Sequence, residues 1–532
     1  MTSPYLRRLR IQHLTTKAII VTVLICFEII LSLNQILHNA HLANFNGGDG
    51  GVYYAATYNL IHGVLPYRNF VFLQPPLILI ILSPFALLGE VTSIRLGFET
   101  ARLFVYLIEL GNCFLMLRII RWQNPIRVAI GLGILILSVD MLQTTATILL
   151  EPFLILCCLG GTALLFEQSE ITKSLRRVLS SGIFFGLAGA TKLWAIVPVL
   201  VLFIILLFKD RKSTFWFFLG VTASFALVIL PFIFLCPSQL IHQVILTQAA
   251  RTREPPSTFG RLLTFVGFPG FSQVLYPAFF TIVSSLLLLI GSILTVHSQL
   301  LIRPRRRQPL ETFALWTVLL SASMLLLARP FFFHYPAFLT PFVSLLLAVQ
   351  PYAYPSKTKS RAHISISTPV IIASTVSLML ATAILDYYRA EDSPTGTYSL
   401  TVQYMDNIVK KGCILAWPVS FALLTNQYTG YLPSCPHTVD WYGTERYYAP
   451  GKSVNSDSLI QNVSFQKVVL SWLEKSSTVM LGFSNLGIGT NDTRYIDTHF
   501  RLLNKGPGLA YQAIFHILIG VRVTPSGISK TT

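Results

Sequence analysis

Apolar runs alternate with short basic clusters along the first two thirds of the chain, and a more polar stretch follows. The clusters are Arg7/Arg8/Arg10/Lys17, Arg118/Arg121/Arg127, Lys173/Arg176/Arg177, Lys209/Arg211/Lys212, Arg303/Arg305/Arg306/Arg307 and Lys357/Lys359/Arg361. Cytoplasmic loops of membrane proteins are rich in Lys and Arg, so all of these clusters are assigned to the inside. Neighbouring clusters must then be joined by an even number of crossings, and that parity sets the topology.

Between the first two clusters lie Ala18–Leu37, a polar loop, Pro76–Leu88 and Thr92–Leu117. Pro76–Leu88 is only about 13 residues, too short to cross at 1.5 Å per residue, so it is laid along the outer surface. Ala18–Leu37 then runs outward and Thr92–Leu117 inward. Val128–Leu142 and Thr144–Phe166 form the next pair. Val178–Phe208 is predicted to be an outward and an inward helix meeting near Thr191–Lys192. Phe215–Leu235 runs out and Gln273–Leu301 returns. Thr312–Leu327 and Tyr335–Val349 follow, and Pro369–Leu385 goes out last. The count is about eleven spans, with the N-terminus cytoplasmic and the C-terminus extracytoplasmic. The organisation expected is a transmembrane domain over 1–386, with a first outer loop at 38–91, and an extracytoplasmic domain over 387–532. Alternation at Cys413–Trp417, Val468–Leu473 and Thr478–Phe483 predicts strands, hence a small α/β fold for the tail.

Composition agrees with a polytopic α-helical membrane protein. Hydrophobic residues make up 53% of the 532 and charged residues 12%, whereas a soluble domain has about 25% charged. The net charge of +18 is accounted for by topology, so no nucleic-acid partner is called for. The run Ala18–Leu37 lacks a small-residue cleavage site and reads as an uncleaved first helix. Of the seven cysteines, Cys413 and Cys435 lie in the polar tail, where a disulfide is one option that sequence leaves open.

In this topology the unusual polar residues gather on the outer face. Ionisable groups at membrane depth are expensive and mark sites or partners. Asp49 stands in the glycine-rich stretch Asn46-Gly-Gly-Asp-Gly-Gly51, ahead of Tyr53, Tyr54 and a short amphipathic helix predicted over Val52–Ile61. A carboxylate there suits a general base or a metal ligand, or else caps the helix. Glu151, two turns into its predicted helix, is either part of a site or a structural carboxylate paired with Lys192 or Arg102. Asp140 marks the membrane boundary or a site. Arg251 and Arg253, in Arg-Thr-Arg-Glu-Pro-Pro, suit phosphate through the planar guanidinium fork, or are solvated loop charges. Arg329 can meet a lipid head group, and His334 is a structural histidine or a base.

These residues carry a resemblance. Asp49, Tyr53–Tyr54, Gly63, Pro66-Tyr-Arg68-Asn69-Phe70, Gln74-Pro-Pro76 and Leu88-Gly89 resemble the first outer loop of the GT-C membrane glycosyltransferases. The nearest look is that of the bacterial protein-mannosyltransferase-like and aminoarabinose-transferase-like families. Glu151-Pro152, Gly186-Leu-Ala-Gly-Ala-Thr-Lys192 and His334-Tyr-Pro336 extend the likeness over about residues 18–350. Two acids of the family pattern are replaced, by Gly50 and Asn69. The resemblance implies transfer of a hexose or pentose from a polyprenyl-phosphate sugar to a lipid, glycan or protein acceptor on the extracytoplasmic face, in the plasma membrane if the source is bacterial. Asp49 would be the base, with Glu151 as a second catalytic acid. Lys192, Arg251, Arg253 and Arg329 would hold the donor phosphate, and Tyr53, Tyr54, Arg68 and His334 would line the substrate. A divalent metal at Asp49 is compatible with this pattern but not required by it. The competing readings are a transporter or lipid flippase, against which stands the lack of an internal repeat, and an inactive scaffold, which the replaced acids keep open.

Overall fold

The structure is a computed structural model. It describes residues 4–38, 48–265 (except 122, 124, 146, 254 and 255), 278–297, 308–349 (except 333), 374–381 (except 375), 412–448, 462–482, 490–502 and 517–522. In chain order the helices of the apolar part are α1 (Pro4–His38), α2 (Gly48–Ile61), α3 (Leu77–Val91), α4 (Ile94–Ile120), α5 (Pro125–Leu137), α6 (Val139–Thr145) and α7 (Glu151–Leu165). A two-residue hairpin, β1 (Phe166–Glu167) with β2 (Glu170–Ile171), leads into α8 (Leu175–Thr191) and α9 (Ile196–Lys209). Then follow α10 (Arg211–Leu235), α11 (Pro237–Ile241), a π-helical turn at His242–Leu246, α12 (Thr247–Ala250), α13 (Thr258–Thr264), α14 (Ala278–His297), α15 (Pro309–Leu327) and α16 (Thr340–Val349).

Among the described residues, Thr15–Asn34, Ile94–Ile120, Arg211–Leu235 and Pro309–Leu327 are long and apolar enough to cross a membrane. Leu77–Val91, Pro125–Leu137, Glu151–Leu165 and Leu193–Lys209 are shorter apolar helices. The break expected near Thr191–Lys192 is present: α8 stops at Thr191, Lys192 is extended, and a 3₁₀ turn at Leu193–Ala195 leads into α9. Two of the helix expectations need correction. Glu151 is the first residue of α7, not two turns inside it, because Pro152 is favoured at a helix start. Val128–Leu142 is two helices, α5 and α6. Most of Pro369–Leu385 lies outside the described residues.

The chain divides into two compact units. The first comprises 1–38, 105–228 and 255–392. Its core is an apolar cluster that includes Leu132, Leu154, Leu159, Phe185, Phe313 and Phe342. Close backbone contact makes part of this packing. Cβ atoms at Gly182 or Gly186 would collide with the backbone of α10 at Phe217 and Val221, so small residues on α8 let the two helices touch.

The second unit comprises 39–104, 229–254 and 393–532. Its C-terminal part carries a four-stranded sheet of order β3-β4-β6-β5, with β3 at Ile414–Trp417, β4 at Thr478–Gly482, β5 at Phe500–Leu502 and β6 at Ile517–Arg522. β3 and β4 are parallel, and the other pairings are antiparallel. Helices α17 (Ser420–Leu424), α18 (Trp441–Tyr448), α19 (Val463–Lys475) and α20 (Thr490–His499) accompany it. The predicted strand Val468–Leu473 is instead part of α19. Phe465, Val469 and Leu473 recur every four residues on its buried side, and the Asn462 side chain caps its start by accepting from the Phe465 amide at 3.0 Å. Cys413 and Cys435 form a disulfide.

Candidate functional site

In the first unit the geometry centres on Glu151. It opens α7, where a carboxylate is favoured by the helix N-terminus. The extended backbone at Lys192, between α8 and the 3₁₀ turn, directs that side chain to it: Nζ donates to Glu151 Oε1 at 2.6 Å. Both groups are buried, Glu151 with 1% exposure and Lys192 with 6%. The ammonium also lies 3.5 Å from the ring centroid of Trp194 and 4.4 Å from that of Tyr335, a cation–π cage. His334 Nε2 stands 3.9 Å from the same Glu151 oxygen. Behind it, Asn112 Nδ2 donates to Glu109 Oε2 at 2.9 Å and to the Pro152 carbonyl at 3.3 Å, bracing the first turn of α7. Glu151, Lys192 and His334 are thus brought together. Lys192, one of the partners expected for Glu151 as a structural acid, pairs with it.

Arg329 is exposed, and its carbonyl accepts from Arg261 Nη2 at 3.3 Å. Arg261 is the unexpected residue here. It is fully buried and donates to the Pro256 carbonyl at 3.2 Å, to the Leu325 and Leu326 carbonyls at 3.3 Å each, and to the Ala328 carbonyl. One guanidinium therefore serves two carbonyls of the last turn of α15, Leu325 and Leu326, and that of Ala328 just beyond it.

In the second unit Asp49 is exposed in the first turn of α2. The helix begins at Gly48, ahead of the predicted start, so Asp49 belongs to the helix itself. The helix is also not a surface amphipath, because Gly50 to Asn59 are all buried. Tyr53 and Tyr54 are buried within it; Tyr53 packs edge-on against Phe72 at 6.2 Å, and the Tyr54 hydroxyl donates to the Phe85 carbonyl at 3.1 Å. Farther along, the Tyr58 hydroxyl donates to Glu90, and His62 Nε2 lies 3.1 Å from that carboxylate. Arg68 is exposed beside Tyr67, which takes a positive φ of 66° and donates through its hydroxyl to the Gln74 carbonyl at 2.6 Å. Gln243 donates to the Tyr67 carbonyl and accepts from the Phe72 amide, each at 2.9 Å, fastening the loop after α2 to the π-helical turn. Arg251, just beyond α12, donates to Gln248 Oε1 at 3.3 Å; Gln248 in turn donates to the Leu73 carbonyl. Arg253 is exposed.

Of the four cations expected at a donor phosphate, Lys192 and Arg329 belong to the first unit and Arg251 and Arg253 to the second. Sequence reasoning missed a further acid in the second unit, Asp440. Its Oδ1 accepts from the Gly443 amide at 2.7 Å and so caps α18. Burial and the Asp49 carboxylate push its pKa up to about 6, against the pull of the Gly443 amide and of Arg251 and Arg446. An Asp before the run Trp441-Tyr-Gly-Thr444 was a helix-cap signal, but nothing in the sequence linked it to Asp49. Among the described residues no three His, Cys, Asp or Glu side chains gather as a metal centre would need.

Comparison with known proteins sets these observations in a family frame. The model of Glycosyltransferase family 87 matches residues 72–330, just short of half the chain and beginning after Asp49. No curated protein sequence matches the chain. The structure of ArnT from Cupriavidus metallidurans bound to undecaprenyl phosphate is similar with a TM-score of 0.59 at 12% identity, covering 95% of this chain and 98% of that one. The apo structure of the same protein is similar with a TM-score of 0.57 at 13% identity, covering 94% and 98%. The membrane helices, a fold shared with ArnT along almost the whole chain and a glycosyltransferase-family match across its middle make this an integral membrane protein with the fold of the GT-C glycosyltransferases.

Proposed function

We propose that the protein transfers one sugar from a polyprenyl-phosphate donor to a hydroxyl or amine acceptor on the extracytoplasmic face of the membrane, with Asp49 as the general base. The observation that carries the reading is Asp49 itself. It is an exposed carboxylate held in the first turn of a helix whose remaining turns are buried, in a chain with a GT-C fold. A rigid mount with a solvent-facing acid is what base catalysis asks for. Asp49 takes the proton from the acceptor as its oxygen or nitrogen attacks the anomeric carbon. The bond from that carbon to the phosphate oxygen breaks, and polyprenyl phosphate leaves as the anion. In-line attack inverts the anomeric centre. Arg251 and Arg253 supply positive charge in the same unit for the leaving phosphate, where an Arg fork is worth most in a water-poor setting. Glu151, Lys192 and His334 form a buried centre in the first unit that holds the Lys192 ammonium against Glu151.

Two features support the lipid-linked donor and the outer face. The neighbouring fold, ArnT, has been seen with undecaprenyl phosphate. The Cys413–Cys435 disulfide is at home on the oxidising side of a membrane. The deciding experiment is transfer of radiolabel in membranes supplied with a panel of polyprenyl-phosphate hexoses and pentoses, comparing the wild type with Asp49→Asn. Donor-dependent labelling that the variant loses supports the reading. Labelling with retained anomeric configuration sinks direct displacement, and labelling that survives in the variant removes Asp49 from the base role.

A further inference from the structure

Within the second unit, the C-terminal segment meets α2 along one face. Tyr58, Asn59 and, just past the helix, His62 follow Gly51 by about two to three helical turns, so they share a side. A Cβ at Gly51 would stand 2.9 Å from the Ser420 amide nitrogen. The missing side chain therefore lets the start of α17 lie against the first turn of α2, the turn that carries Asp49. Farther along, the Tyr428 hydroxyl donates to Asn59 Oδ1 at 2.8 Å, and both side chains are buried. The Tyr431 ring meets that of Tyr58 edge-on at 5.2 Å and lies against that of His62 at 4.4 Å. Asn426, with a positive φ of 56°, reaches α4: its Oδ1 accepts from the Arg95 amide at 2.9 Å, an orphan donor in the first turn of that helix. Tyr53 and Tyr54 face elsewhere, to Phe72 and to the Phe85 carbonyl, so the tail supplies a second wall for α2.

Ser420, Asn426, Tyr428 and Tyr431 all lie between Cys413 and Cys435, which are bonded to each other. Cys413 leads directly into β3, an edge strand of the sheet, and the Ile414 amide donates to Thr429 Oγ1 at 2.8 Å across the loop. A crosslink at the base of the segment limits how far it can peel away from α2. We propose that the disulfide-closed segment from Cys413 to Cys435 is a brace that positions the base-bearing helix α2, with Ser420, Tyr428 and Tyr431 as its positioning residues. For the role of α2 this rests on the glycosyltransferase reading above, and it gives the tail a part in turnover. A base must sit within hydrogen-bond reach of the proton it takes, and a displacement of about 1 Å can cost roughly a hundredfold in rate. The brace residues act through the helix and not on the substrate.

Hydrogen exchange of the full-length protein in detergent reads the brace without any assay of transfer. Tyr428→Phe removes one hydroxyl and leaves the ring and the disulfide. Amide exchange in α2 should quicken by roughly three- to tenfold, while α8 and α9, in the other unit, keep wild-type rates. A dithiol opens the crosslink: its thiolates attack in turn, the reagent closes to a cyclic disulfide, and Cys413 and Cys435 are left as two thiols. Reduction, followed by mass, should quicken α2 exchange by roughly tenfold or more. Faster exchange confined to residues 413–435, with α2 unaltered in the variant and in the reduced protein, overturns the proposal. Transfer kinetics give the second arm. Tyr428→Phe should lower kcat by about three- to tenfold and keep KM for the polyprenyl-phosphate sugar within about twofold. An unchanged kcat, or a loss seen only in KM, overturns the positioning role. An α2 that responds in a wild type that transfers no sugar supports the brace and overturns the glycosyltransferase reading, so the two failures are distinct.

Discussion

Glu151 and Asp49 each stand in the first turn of a helix, and their surroundings differ in every other respect. Glu151 is buried and bonded to Lys192, with His334 at its edge and an aromatic cage around the cation. Asp49 is exposed, and its charge is felt by another acid, Asp440. A buried charge must have its partner built in, because desolvation would otherwise cost several kcal/mol. An exposed acid can be left with its lone pairs turned outward, ready for a substrate proton. The same residue class thus serves as internal scaffolding in one unit and as candidate chemistry in the other.

The largest effect expected is kinetic. Asp49→Asn should lower turnover by roughly 10²–10⁴-fold, the range for a lost general base. Its melting temperature should stay within about 1 °C of wild type, because exposed substitutions rarely exceed about 0.5 kcal/mol. A large loss of stability would break the contrast with Glu151. Glu151→Ala should do the reverse and destabilise first, by about 3–5 kcal/mol, since it removes the carboxylate bonded to the buried Lys192 ammonium. The neutral pair Glu151→Gln with Lys192→Met should recover much of that loss in thermal melts. Failure to recover would mean that the pair does more than satisfy itself.

Arginines offer a second test of the same contrast. Arg261→Met removes the donors of several buried carbonyls at the end of α15 and should cost about 2–3 kcal/mol in a melting assay. Arg251→Ala should leave the melting temperature nearly unchanged yet weaken transfer about tenfold, as loss of a phosphate contact would. The smallest effect concerns Asp440. Its folded-state pKa of about 6 lies above the ordinary carboxylate value of 3.8. The stability tied to its protonated form is full below the ordinary value and is lost as pH rises through 6. Asp440→Asn should therefore gain on the wild type between pH 4 and 7 by about 1–2 kcal/mol, after allowance for partial solvent screening. A difference that shrinks over that interval would reverse the sign of the argument.

Much of the fold was legible because a membrane imposes a one-dimensional rule. Apolar length, basic flanks and the polar interruption at Thr191–Lys192 were enough to anticipate α8, α9 and the turn between them. The tail was harder. Val468–Leu473 has strand-like composition, and only the capped, four-residue spacing of its buried side makes it part of a helix.

By itself the sequence determined the class of molecule, most helix positions and the short list of outer-face acids and cations, since transfer free energy and charge asymmetry act residue by residue. The tertiary structure decided which of those groups are partnered. It bound Lys192 to Glu151, spent Arg261 on the carbonyls of α15, paired Cys413 with Cys435 and set Asp440, far along the chain, in the field of Asp49. Electrostatic roles depend on distance and burial, and both are properties of the folded chain that no spacing in sequence contains.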